Sequence, residues 1–298
     1  MTVTMAPRTA MCRAAIAALP CVAAGDGAAF LLGLHGGRRA RLRLGVADGW
    51  ADLTVELGGS AGRTNPWDAL ALNAVAGGAA RLILRPGDAA VALRADVPFA
   101  ADGDPAPRLA SACEDLRRFA IALETGAVGP IADAGESSTP DARPVSSPNH
   151  DGGVDIAALL TEAGWPFVQR ASNRIAVDLG LPDQFQQAFI TPGAGERHRV
   201  RATLAVVGTP AAATRNALGV LLLTVSAVVR TARGGRINQD GESTLFFESP
   251  LDDAPAASDV DVALCAVAMA CQMAGLEARA LIDERIAEAY LAARGWAA

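Results

Sequence analysis

Lysine is absent from this 298-residue chain, and all 26 of its basic residues are arginine. A Walker-type phosphate loop needs a lysine and Schiff-base chemistry needs an amine side chain, so both are excluded. Cysteine is sparse and scattered: Cys12, Cys21, Cys113, Cys265 and Cys271 form no C-x-x-C pair, and Cys265 and Cys271 lie six apart on an apparent helix, on different faces. That set reads as reduced core filler in a cytoplasmic protein. The three histidines, His35, His150 and His198, are far apart and form no H-E-x-x-H or Cys/His spacing, so neither a metal nor a cofactor is expected. A long basic run is missing too, and the net charge is −6, a poor combination for nonspecific nucleic-acid or membrane binding. The longest uninterrupted apolar run, Ala217 to Val229, is too short to span a bilayer and reads as a buried helix. Aromatics make up only 4% of the chain, which makes each one outside a core position conspicuous.

What the chain does have is apolar bulk, 51% of residues, enough for sizeable cores in about two domains. The lysine-free, alanine-rich composition is that of a high-GC bacterial genome. The N-terminal stretch MCRAAIAALPCVAAG has the look of a weak signal peptide. Pro20 and the small alanines favour an amphipathic first helix instead, with Ile16 and Leu19 on one side. Residues 125–153 collect Gly, Pro, Ser and Asp without an apolar period and read as a flexible linker between domains at 1–124 and 154–298.

The two flanks repeat one order: a helix, three strands, a helix, two strands, a helix. In the first, a short helix near 10–24 precedes AAFLLGL, RARLRLGV and ADLTVEL. In RARLRLGV, Arg41 and Arg43 alternate with Leu42 and Leu44, as on the wet face of a half-buried strand. Asn65 and Pro66 open the next helix as cap and first turn. Two strands then flank Pro86-Gly87-Asp88, with Val91, Leu93, Ala95 and Val97 on one face. A last helix carries Leu109, Ala112, Leu116 and Phe119 along one stripe. In the second, Asp155 caps a short helix, WPFVQRASNRIAVDL and RHRVRATLAVV are strands, and the latter turns Val200, Ala202, Leu204 and Val206 inward. A helix, a hairpin turning at Gln239-Asp240-Gly241, a helix capped by Ser258 or Asp259 and one further helix complete it. The expectation is a tandem duplication, two α-βββ-α-ββ-α domains of α+β class, each an antiparallel sheet with helices on one face. The alanine-rich helix with Val262, Leu264, Ala266, Val267, Met269, Ala270 and Met273 is apolar nearly all round, and is expected to be buried on both sides.

Asn73, the turn at Gly87-Asp88 and the step Asp96-Val97-Pro98 before a long helix resemble the YbjN-type branch of the type III secretion chaperone-like domains. A looser second set is Asn216, Asp240-Gly241 and Ser249-Pro250-Leu251, which lacks the aspartate of the step. The resemblance implies a cytoplasmic, non-catalytic protein that holds an extended partner segment on sheet edges and apolar grooves. Relatives of this kind are usually homodimers. A tandem copy would replace the dimer by an intramolecular pseudo-dimer, leaving a monomer or a weak homodimer, with a protein partner as the expected ligand.

One catalytic pattern matches by letter: Gly58 to Gly62 satisfies G-x-S-x-G around Ser60, which sets a serine hydrolase as the competing reading. A nucleophile elbow needs Ser60 on a turn running straight into a helix, and here Arg63-Thr64-Asn65-Pro66 intervenes. A structural or immunity-type interaction protein is the third reading. The residues that ask for a binding role are aromatics in probable loops: Trp50, at a turn, and Phe185 and Phe189, in LPDQFQQAFITPG.

Overall fold

The protein is described by a computed structural model over residues 5–25, 29–58, 61–85, 90–99, 104–126, 154–171, 174–181, 186–192, 198–252 and 254–296. In the first half, α1 (Met5–Ala17) leads into β1 (Val22–Ala24), β2 (Ala29–Gly33), β3 (Arg39–Ala47) and β4 (Trp50–Glu56). Then α2 (Pro66–Val75) crosses to β5 (Arg81–Leu84) and β6 (Val91–Pro98), and α3 (Ala106–Thr125) closes the half. The second half opens with α4 (Ile156–Ala163), followed by β7 (Phe167–Ala171), β8 (Arg174–Asp178), β9 (Gln187–Pro192) and β10 (His198–Val207). It continues with α5 (Ala212–Val228), β11 (Arg233–Gln239), β12 (Glu242–Pro250), α6 (Ala257–Ala280) and an added α7 (Glu284–Ala293).

Every strand pairing is antiparallel, in two separate six-stranded sheets ordered β1-β2-β3-β4-β6-β5 and β7-β8-β9-β10-β12-β11. The fold is therefore α+β, and the two halves share one connectivity. Several caps are as the residues dictate. Asn65 Oδ1 accepts from Trp67 N at 2.8 Å, and the Asp155 side chain accepts from Ala158 N at 3.1 Å. Asp240 and Gly241, at φ 51° and 82°, form the tight turn of the β11–β12 hairpin. Arg39, Arg41 and Arg43 are exposed while Leu42 is fully buried, the alternation read from the sequence.

Four points differ from the sequence reading. Each half has four strands before its crossover helix, not three. The three-residue β1 is too short to show a period, and α1 ends at Ala17 to make room for it. WPFVQRASNRIAVDL is two strands, β7 and β8, and LPDQFQQAFITPG contains β9, whose Ala188 and Ile190 point inward. In β10 the register shifts between Thr203 and Ala205; this bulge moves the alternation by one, so Val207 is buried and Val206 is 54% exposed. Lastly, α6 begins at Ala257, and Asp259 Oδ2 accepts from Ala256 N rather than capping from ahead of the helix. In the first half α3 runs to Thr125, with Gly126 in the left-handed cap position. The rest of the linker and the Pro86-Gly87-Asp88 turn lie outside the described residues.

One face of the first sheet is covered by α1 and α3, and one face of the second by α6, on which α4 packs. The crossover helices do something else. α5 packs on β5 and α2 packs on β11, each on the sheet of the opposite half, and α2 packs on α5. Ile83 and Ala92, on the face of the first sheet away from α3, are buried against Ala227 of α5. Beside that small cluster, one main apolar core takes in residues of both halves.

Candidate functional site

The junction between the halves is built around two matching ion pairs. β5 and β11 each begin with an arginine, Arg81 and Arg233, and each is answered fifteen residues later by a carboxylate, Asp96 of β6 and Glu248 of β12. The four side chains are no more than 1% exposed. Arg81 Nη2 donates to Asp96 Oδ2, Arg94 Nε donates to Asp96 Oδ1 at 2.8 Å, and Thr231 N, from the other half, donates to Asp96 at 3.1 Å. Glu248 accepts from Arg233 Nε at 2.7 Å and Arg201 Nε at 2.9 Å, with Arg199 at 3.8 Å.

The arginines also reach across. Arg81 Nε and Arg94 Nη1 donate to the carbonyls of Ser226 and Ala227, in the last turn of α5. In return, Arg199 Nη1 donates to the carbonyl of Ala74, in the last turn of α2, and Arg233 Nη1 to those of Gly78 and Ala80 just beyond it. Each half thus satisfies the orphan carbonyls and negative dipole end of the other half's crossover helix with guanidinium groups. Asn73, fully buried, donates to the carbonyls of Leu82 and Gly234, both at 3.0 Å, and so ties β5 to β11. Asn216 accepts from Asn65 Nδ2 at 3.1 Å, again across the junction.

Burial by itself would push Asp96 and Glu248 up. The surrounding guanidinium charges and donated hydrogen bonds outweigh it and hold both carboxylates below their usual range. Both are ionised at neutral pH.

Beside Asp96 lies a small cleft of about 80 Å³ with walls from both halves. Gly78, Asp96 and Pro98 face Thr231, Ser249, Pro250, Asp252 and Asp259. Thr231 has φ 64°, a left-handed conformation unusual for a β-branched residue, and its N–H is the one held by Asp96. The hydroxyls of Thr231 and Ser249 are buried without a protein hydrogen-bond partner. The space suits a few waters or one small polar group. Arg108 of α3 closes one side by donating to Asp259 of α6 at 3.2 Å.

The residues singled out in the sequence are not gathered in one place. Trp50 opens β4 beside Pro98 and is stacked 5.6 Å from Arg230 of the second half, at the edge of the junction. Phe189 sits on β9, on the outer face of the second sheet, 3.9 Å from the Arg174 guanidinium. It is a strand residue, not a loop residue. Phe185 and Ser60 lie outside the described residues. Near Ser60, Ala61–Arg63 form a 3-10 turn ahead of the Asn65 cap, so the chain does not run straight into α2. Burial pushes the thiols of Cys113 and Cys271 up to about 12 and raises that of Cys12, which leaves them as apolar filler rather than nucleophiles.

The second copy of the Asp-Val-Pro step is also set one residue away from where the sequence suggested. Glu248 precedes Pro250 by two residues as Asp96 precedes Pro98, so the carboxylate is kept, as glutamate, and Ser249 stands where Val97 does. Arg81 and Arg233 were missed because a lone arginine opening an apolar strand reads as a solvent-facing end. The signal that could have found them is the fifteen-residue Arg-to-carboxylate spacing written twice. No family model, no curated protein and no solved structure matches this chain.

Proposed function

We propose that this is a non-catalytic, chaperone-like protein of the cytoplasm. Its two halves act as an intramolecular pseudo-dimer that holds an extended segment of a partner protein along the outer edge of the second sheet. The observation that carries this reading is the state of β7. It pairs with β8 on one side only, and Val168 in it is 52% exposed with Gln169 and Arg170 exposed beside it. The inner edges are different: β5 and β11 meet at the junction under α2 and α5. Partner capture is thereby left to the outer rim. An edge strand without a neighbour offers a row of main-chain donors and acceptors that an added strand satisfies.

A segment added along Phe167–Gln169 would gain main-chain hydrogen bonds there. Phe189, two strands in from that edge, would offer an aromatic contact, whereas Trp50 stands in the first half at the edge of the junction and is no part of that surface. The resemblance to the YbjN-type domains and the shared connectivity of the halves support a duplicated binding module.

The reading is tested by placing a photo-crosslinking residue at Val168, capturing partners from the native cell and measuring binding of a peptide cut from the crosslinked segment. Val168→Pro should weaken that peptide at least about tenfold, since proline removes a ladder donor, with the melting temperature held. Peptide binding that ignores Val168→Pro would sink the edge reading. Ester turnover abolished by Ser60→Ala would replace it with an enzyme.

A further inference from the structure

We infer that the outward face of α6 pairs with a second copy of this chain, antiparallel, about a two-fold axis at Met269. The sequence led to the expectation that α6 would be covered on both sides, and among the described residues it is not. Its inner face is buried on β10 and β12, yet Met269 is 53%, Met273 45% and Leu276 79% exposed. α6 has the length and hydropathy of a membrane span, with 56% of that window buried. The arrangement of its exposed residues argues for a protein neighbour.

Ser258, Val262, Cys265, Met269, Met273, Leu276 and Ala280 follow one another at spacings of four, three, four, four, three and four, and fall in one stripe within about 40° of Met269. The stripe carries no charge and spans about 33 Å. Its spacing reads the same from either end about Met269. That is what a two-fold interface requires, where residue i meets residue j and j meets i. In an antiparallel pair Met269 meets itself, Cys265 meets Met273, and Val262 meets Leu276, as alternating knobs along a seam.

The charges on the flanks agree. On one side, Asp261 lies across from Arg279 of the second copy. On the other, Asp259 lies across from Glu277 of the second copy, each already neutralised within its own chain, by Arg108 and by Arg294. An apolar stripe of this length in water is itself a mark of an interface, and a contact only one helix wide places the dimer at the weak end, with a dissociation constant in roughly the micromolar range. This surface is separate from the β7 edge, so the two readings fail independently.

Sedimentation equilibrium of the full chain is the test. A concentration-dependent monomer–dimer equilibrium is expected, and Met269→Glu, which places two carboxylates at the axis, should raise the dissociation constant roughly a hundredfold or more. Its melting temperature should hold, because Met269 faces solvent within one chain. Met269→Cys should form a covalent dimer on addition of diamide. Cys265 in the unaltered chain should not, because the antiparallel register sets the two copies of Cys265 about 12 Å apart along the seam. A chain monomeric at every concentration overturns the inference, as does a dimer indifferent to Met269→Glu. Fast crosslinking through Cys265, which would mark a parallel pair, overturns it too, and so does a monomer that instead binds vesicles of anionic phospholipid through this stripe.

Discussion

At the residue scale, the junction depends on charge taken out of water. Two charges buried together gain little over an apolar pair, but removing one partner leaves the other uncompensated. Asp96→Asn would strand Arg81, at 1% exposure, together with Arg94, and would release the strained backbone at Thr231. A loss of about 3–5 kcal/mol is expected, read by denaturant unfolding, while Glu56→Gln, at a half-exposed surface pair, should cost less than about 1 kcal/mol. The pH dependence has a definite sign. Asp96 and Glu248 titrate lower in the folded protein than in the unfolded chain, where ordinary values near 4 apply. Their contribution is thus complete above about pH 5 and is lost as pH falls through the folded values, below about pH 4. Thermal melts from pH 7 to 3 should be flat at first and then fall. Asp96→Asn should make the fall shallower, and an unchanged slope would remove the ion pair from the account. No single residue made this legible, because the letters R and D look the same in a solvated strand end and in a buried pair; only the repeated fifteen-residue spacing carries the signal.

At the element scale, the two crossover helices decide how closely the halves approach. Gly219 of α5 lies against the start of α2, and a Cβ there would come within 2.6 Å of the Pro66 and Trp67 backbone. Neither backbone can move aside without shifting a helix. Gly219→Ala should therefore destabilise by about 1–3 kcal/mol despite alanine's better helix propensity, with chemical denaturation as the measure. A gain in stability would mean that the helices separate without cost. Elements with clean periods were readable from the residues: the stripe of Leu109, Ala112, Leu116 and Phe119 is buried in α3, and Val91, Leu93, Ala95 and Val97 share the buried face of β6. Where the period breaks, reading failed. The bulge in β10 exchanged Val206 for Val207, and the helical pattern of α6 could not reveal that its second apolar face has no cover among the described residues.

At the scale of the whole molecule, the repeated order of elements was visible in the sequence, but the way the halves meet was not. It rests on contacts between residues about 130 to 170 apart that no local pattern encodes, such as Arg94 to Ala227 and Arg236 to Trp67. The halves share one core, cap each other's helices and bury two ion pairs between them. Their union should not depend on the covalent connection. A tether of this length adds effective concentration, near the millimolar range, without adding contacts. If a protease site is placed between residues 127 and 153 and cut, the two fragments should stay together at neutral pH and elute as one species, with native mass spectrometry giving their summed mass. Acidification below about pH 4 should then part them, since protonating Asp96 and Glu248 leaves their arginines buried and unpaired on both sides of the junction. Carrying Asp96→Asn in the first fragment should bring that separation to neutral pH. Fragments that drift apart at pH 7 without any substitution would mean that the linker, rather than the junction, holds the molecule together.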